Sequence, residues 1–140
     1  MEYKRFGNTI VLRMEKGEEI ISGLKQLCIS EGIRLGSVSG IGAVNKAVVG
    51  IFHTASKTYY SKEYTGDYEI ASLTGNLTLM GEEPYLHLHI VLGNVETNET
   101  YAGHLSSATI SATGEIIVTI IDGKVNRGFS DEIGLNLMEF

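Results

Sequence analysis

A single cysteine, a single proline and no tryptophan set the first limits on this chain of 140 residues. Cys28 has no second thiol to pair with, so an internal disulfide framework is excluded. With Pro84 alone, a proline-rich linker between domains is excluded too. No apolar run approaches the roughly 18–20 residues that a membrane-spanning helix needs. The first residues, Met1 to Asn8, lack the basic stretch, apolar core and cleavage signal of a secretory leader. The expectation is a cytoplasmic protein with no membrane partner. Basic residues are also scarce. Lys and Arg number 11 against 17 Asp and Glu, a formal charge of −6, and only Lys4 and Arg5 are adjacent. Nucleic-acid binding draws most of its affinity from phosphate neutralisation and leaves a basic stripe, which this sequence does not show.

Apolar residues make up 43% of the chain and 17 positions are glycine. That is enough for one hydrophobic core, with many tight turns, in a single domain spanning 1–140. Thr9 to Met14 reads as a first strand. A helix is expected to open at Gly17-Glu18-Glu19, because Ile20, Leu24, Leu27 and Cys28 then form one stripe, widened by Ile21. Glu18 and Glu19 would lie in its first turn, favoured by the helix dipole, and Gly32 would end it. Cys28 belongs to the apolar stripe and reads as a small buried hydrophobe.

The remainder is β-like. Residues 35–54, 58–64, 67–80, 84–95 and 106–122 are rich in Val, Ile, Thr, Leu and Tyr, with turn signals at Thr65-Gly66-Asp67, Gly93-Asn94 and Asp122-Gly123. Gaps this short imply antiparallel pairing. The fold class is therefore α+β, a large antiparallel sheet flanked by one main helix. One helix covers one face, so the other face must curl, pack on a loop or meet another subunit.

Tyr85-Leu86-His87-Leu88-His89-Ile90-Val91-Leu92 carries the clearest chemical signal. In a strand Leu86, Leu88, Ile90 and Leu92 share the core face, while Tyr85, His87, His89 and Val91 share the other. Two imidazoles at i and i+2 stand about 7 Å apart at the backbone and can converge on one ion. His104, set on a turn directly after Gly103, completes three ligands if its segment folds back beside residues 85–92. Three histidines with an open fourth position match a zinc site, so a divalent metal, zinc, is the expected cofactor. The competing reading is two surface histidines and a third in a loop. His53 is taken as structural or exposed.

Other candidates are weaker. Gly36-Ser37-Val38-Ser39-Gly40-Ile41-Gly42 lacks the Lys-Ser/Thr ending and the following helix of a phosphate loop, and strand glycines mark bulges or close backbone approach. Glu69 enters a long apolar strand, as an edge charge or as a catalytic carboxylate beside the metal. Tyr59, Tyr60, Tyr64 and Tyr68 suit cross-strand packing, and Glu115 suits a turn or edge.

An ordered set of segments resembles the PPC family, the plants and prokaryotes conserved domain, whose bacterial and archaeal members are often labelled DNA-binding. The set comprises the Gly17-Glu18 helix start, Leu24-x-x-Leu27, Gly32 and Ser39-Gly40-Ile41-Gly42-Ala43-Val44. It continues through Glu69-Ile70, Leu73-x-Gly75-Asn76-Leu77, Pro84-x-x-His87-x-His89, Leu92-Gly93 and Gly103-His104-Leu105. The resemblance implies a homotrimer and a histidine metal site. In overall fold it extends to acetolactate decarboxylase, a zinc enzyme with an HxH…H triad, an analogy of architecture that assigns no reaction. The Arg-Gly-Arg-Pro hook of plant relatives is absent here, and Ala102 stands where the family usually has a second glycine. Three functions stay open: a trimeric metal-binding module for a small ligand or partner, a DNA-associated regulator, and a metal-dependent enzyme with Glu69 handling a proton.

Overall fold

The computed structural model describes residues 1–140. Eight strands and one helix follow in the order β1 (Glu2–Phe6), β2 (Thr9–Glu15), α1 (Ile20–Glu31), β3 (Gly36–His53), β4 (Thr58–Met80), β5 (Glu83–Asn94), β6 (Glu99–Ile120), β7 (Asn126–Ser130) and β8 (Leu135–Glu139). All pairings are antiparallel, so the α+β class holds. Three elements differ from expectation. The segment before Thr9 is a strand, paired with β2 through a turn at Gly7-Asn8. Thr65-Gly66-Asp67 is no turn: β4 runs straight through it, and the extra residues appear as a register shift against Val44 to Lys46 of β3. The third is the C-terminal hairpin β7–β8, for which the sequence carries no strong alternating pattern.

The helix opens at Ile20, two residues later than expected, so neither Glu18 nor Glu19 lies in its first turn. Glu19 is the N-cap, its carboxylate accepting from the backbone N–H of Ile21 at 2.9 Å and of Ser22 at 2.7 Å. Glu18 lies ahead of the helix, where it pairs with the N-terminal amine. The end is as expected, with Gly32 left-handed at φ 65°. Ile20, Leu24, Leu27 and Cys28 are buried, and burial pushes the Cys28 thiol up to about 11, leaving it protonated and inert.

The sheet does curl. Its order is β1-β2-β6-β3-β4-β5, but β5 also pairs with β6, so β3, β4, β5 and β6 close into a ring. Strand β6 makes this possible by changing neighbours. Its first part pairs with β5, from Asn94↔Glu99 to His89↔His104, and its last part with β2, from Glu15↔Thr113 to Thr9↔Thr119. Between these, the Ala108 N–H donates to the Glu19 carboxylate at 3.1 Å, and Ile110 exchanges hydrogen bonds with Glu18 and Gly17. The helix entry thus fills the gap along that edge. A single core of 24 residues joins the helix stripe to Leu88, Ile90 and Leu92 of β5 and to Leu105, Ala108 and Ile110 of β6.

Close strand approach depends on glycine beside the histidine strand. Gly75 has φ 159°, and a Cβ there would overlap the backbone carbonyl of His87 on the paired strand. Gly75→Ala is expected to lower unfolding stability by about 3 kcal/mol, measured by denaturant titration, because backbone cannot yield as a side chain can. An unchanged midpoint would contradict this packing.

Candidate metal centre

Alternation along β5 puts Leu88, Ile90 and Leu92 in the core, with Leu86 packed against it, so His87 and His89 project from the opposite face. His104 is not on a turn. It lies within β6, directly opposite His89 in the register and opposite Gly50 of β3. Gly103 allows this approach: at φ 156°, a Cβ on it would stand 2.5 Å from the Gly50 carbonyl oxygen. Two strands distant in sequence therefore deliver three imidazoles to one place. Their ring centroids are 5.3 Å apart for His87–His89, 5.3 Å for His87–His104 and 5.9 Å for His89–His104. One ligand nitrogen from each lies within 4.8 Å of the others, a span that small ring rotations close onto an ion at about 2.0–2.1 Å per bond.

The donor set itself fits a metal. Buried polar atoms are nearly always hydrogen-bonded, yet Nδ1 of His104 is buried with no partner. Burial holds the His104 imidazole below its ordinary pKa, with further lowering from His87 and His89. His87 is lowered in the same way, by burial first, then by Arg127 and His89. Both effects favour the neutral ring, which is the ligand form.

A cleft of about 360 Å³ opens over the triad, walled by Ile51, Phe52, Tyr59 and Leu135. The Tyr59 ring lies 5.2 Å from that of Phe52 and 5.5 Å from that of His104, so the expected cross-strand packing of Tyr59 also forms a wall of the site. Burial raises the Tyr59 hydroxyl above its usual pKa. Sequence reading had no signal for Leu135, which reaches the cleft only through the C-terminal hairpin.

Glu69 is not brought to the triad. It pairs with Ala43 and Gly93, whereas His89 pairs with Thr74 five residues along β4, and Glu69 lines a separate exposed cleft with Asp67 and Asn94. No carboxylate lines the histidine cleft. His53 is exposed at the end of β3, outside the cluster. The glycine run Gly36–Gly42 lies in β3, with a bulge between Gly40 and Gly42, and makes no phosphate loop.

The family model for the Plants and Prokaryotes Conserved (PCC) domain matches residues 1–122. The chain belongs to this family. Among solved structures, a protein from Bacteroides thetaiotaomicron with a provisional DNA-binding description is 35% identical, at a TM-score of 0.95. The match covers 99% of this chain and 96% of that one. The metal-containing protein AF0104 from Archaeoglobus fulgidus is 31% identical at a TM-score of 0.88, over 99% and 97% of the two chains. A plant- and prokaryote-conserved protein from Pyrococcus horikoshii is 31% identical at a TM-score of 0.85, over 99% and 94%. No curated protein matches. PCC-domain structures of this kind thus extend over β7 and β8 as well as the matched 1–122.

The lowered histidines couple this PCC domain's stability to pH. In the unfolded chain His87 and His104 take up protons near the ordinary value of about 6.5, while the folded state resists doing so. Stability without metal is therefore full above that pH and falls as pH drops below it. Urea unfolding of metal-free protein between pH 7.5 and 5.5 is expected to show this loss, reduced in the His87→Gln, His104→Gln double variant. Equal pH slopes for the two proteins would refute the assignment.

Proposed function

We propose that this chain is a metal-binding PCC-domain module, in which His87, His89 and His104 hold one divalent ion, zinc, and leave a coordination position open to a small ligand. The observation that carries this reading is the convergence of three imidazoles, one with a buried, unpartnered nitrogen, beneath a cleft. Three nitrogens with one open position suit zinc, although copper, nickel and iron accept the same donors. When bound, such an ion supplies a Lewis acid. The protein's residues would orient its ligands from two paired strands and shield them with apolar walls. No carboxylate lines the cleft to act as a base beside the ion, and the reading adopted is therefore binding.

The metal-containing description of the Archaeoglobus relative supports the same reading. The test is metal content after purification without a nickel column. One zinc per chain is expected, with His89→Ala reducing it at least tenfold and His53→Ala leaving it unchanged. Metal-free protein that takes up no zinc at neutral pH would end the proposal.

The module is further proposed to act as a cytoplasmic homotrimer. No helix is long and apolar enough to cross a membrane. Val11, Ile41 and Ile117 are exposed on neighbouring strands β2, β3 and β6 and line a shallow, largely apolar depression with Ala71 of β4. Such a patch is what self-association would cover. Light scattering at micromolar concentration is expected to give three times the chain mass of 15.2 kDa; a monomer mass would refute it.

DNA association is the second reading, favoured by the provisional descriptions of the Bacteroides and Ralstonia eutropha relatives. It finds little support in this chain's charge. Arg5 pairs with Glu31, Arg13 with Glu2 and Glu15, and Lys46 with Glu63, so several exposed cations are already neutralised. With a net charge of −6, contact with duplex DNA would be weak and salt-sensitive.

A further inference from the structure

Behind the metal cleft lies a buried cation that no anion neutralises. Arg127 of β7 is only 9% exposed. Its Nε donates to Thr78 Oγ1 at 2.9 Å, Nη2 to Asn76 Oδ1 at 2.9 Å and Nη1 to the Asn136 carbonyl at 2.8 Å. The guanidinium also sits over the Tyr85 ring, 4.7 Å from its centroid. All these partners are neutral, and Arg127 takes part in none of the ion pairs of the chain. Asn76 is the cross-strand partner of His87, and Thr78 that of Tyr85. The charge therefore stands one side chain away from the triad.

Neutral hydrogen bonds and an aromatic face offset part of the cost of burying a guanidinium, but an opposite charge offsets more. Three neutral imidazoles around a divalent ion add two positive charges and no negative one. The residues lining the cleft include no Asp or Glu. Its walls of Ile51, Phe52, Tyr59 and Leu135 are largely apolar and offer an anion no competing negative charge. The volume of about 360 Å³ lies at the low end of small-molecule sites and suits a small ligand.

We propose that the cleft binds a small organic anion, a short-chain carboxylate whose oxygen fills the open metal position and whose alkyl part lies against Phe52, Tyr59 and Leu135. The inference rests on the metal reading above and adds the class of ligand. Both the added positive charge and one apolar wall come from the β7–β8 hairpin, beyond the residues that define the family match. Arg127 is a positioning residue here: it fastens the hairpin to β4 and contributes field, without lining the cleft.

Cobalt(II) is a suitable probe, because its visible spectrum reports changes at the ion. Metal-free protein is loaded with cobalt and then titrated with isobutyrate, with neutral isobutyramide and with isopropylammonium. Saturable spectral change is expected with isobutyrate, at an affinity at least tenfold above that for either of the others. Removing Arg127 can loosen the hairpin, so the variants are placed at half-buried Leu135 instead. Leu135→Glu puts a negative charge into the wall and is expected to weaken isobutyrate at least tenfold, whereas isosteric, neutral Leu135→Gln weakens it less than threefold, both with one cobalt per chain. Failure to load cobalt overturns the metal reading and this inference with it. Loaded protein that responds equally to isobutyrate and isobutyramide, or equally in the two Leu135 variants, overturns the anion inference alone.

Discussion

Strand β6 spans 22 residues, and the backbone groups along both its edges must find partners. One edge is served by β3, from His104 to Ile120. The other is served in turn by β5, by the Glu19 carboxylate with the backbone of Gly17 and Glu18, and by β2. Everything else in the architecture follows from this succession. Because β5 pairs with the start of β6, the sheet closes into a ring. Because β2 pairs with its end, the loop between β2 and the helix must cross at the gap, and that crossing sets where the helix begins. Glu19 serves both structures at once, accepting from Ala108 on the strand and from Ile21 and Ser22 in the first helical turn.

The histidine cluster is a local consequence of the same closure. Register places His104 opposite His89, and the period of two places His87 on the same face. A slip of one residue between β5 and β6 would turn His104 inward and Leu105 outward. The core resists that slip, since Leu105, Leu88 and Ile90 are all within 2% of full burial. Hydrophobic packing on one side of the strands thus holds the imidazoles in place on the other.

The C-terminal hairpin adds a second layer to the site. It is tied to β4 through Arg127 and to the β3–β4 turn through Lys57, whose Nζ donates to the Asp131 carbonyl at 2.6 Å. Its Leu135 completes the cleft wall. A hairpin that folds in isolation is marginal, so its position depends on these tethers.

Much of this was legible in the chain itself. The helix stripe from Ile20 to Cys28, the Gly32 stop and the alternation of Leu and His from 86 to 92 are local patterns, and each follows from backbone period and burial. The Leu and His alternation was enough to select His87 and His89, because one face was committed to the core. What local pattern could not decide was which strand lies beside which. The closure of the ring, the register that brings His104 to His89 within a strand rather than on a turn, and the separation of Glu69 from the triad are all set by pairings between residues distant in sequence. Arg127 and Leu135 were invisible for the same reason: a lone arginine and a lone leucine near the end of a chain carry no periodic signal. The chemistry of the site was written in the residue types, whereas its walls and its charge came only from tertiary contacts, because proximity across strands depends on the whole hydrogen-bonding network rather than on any one segment.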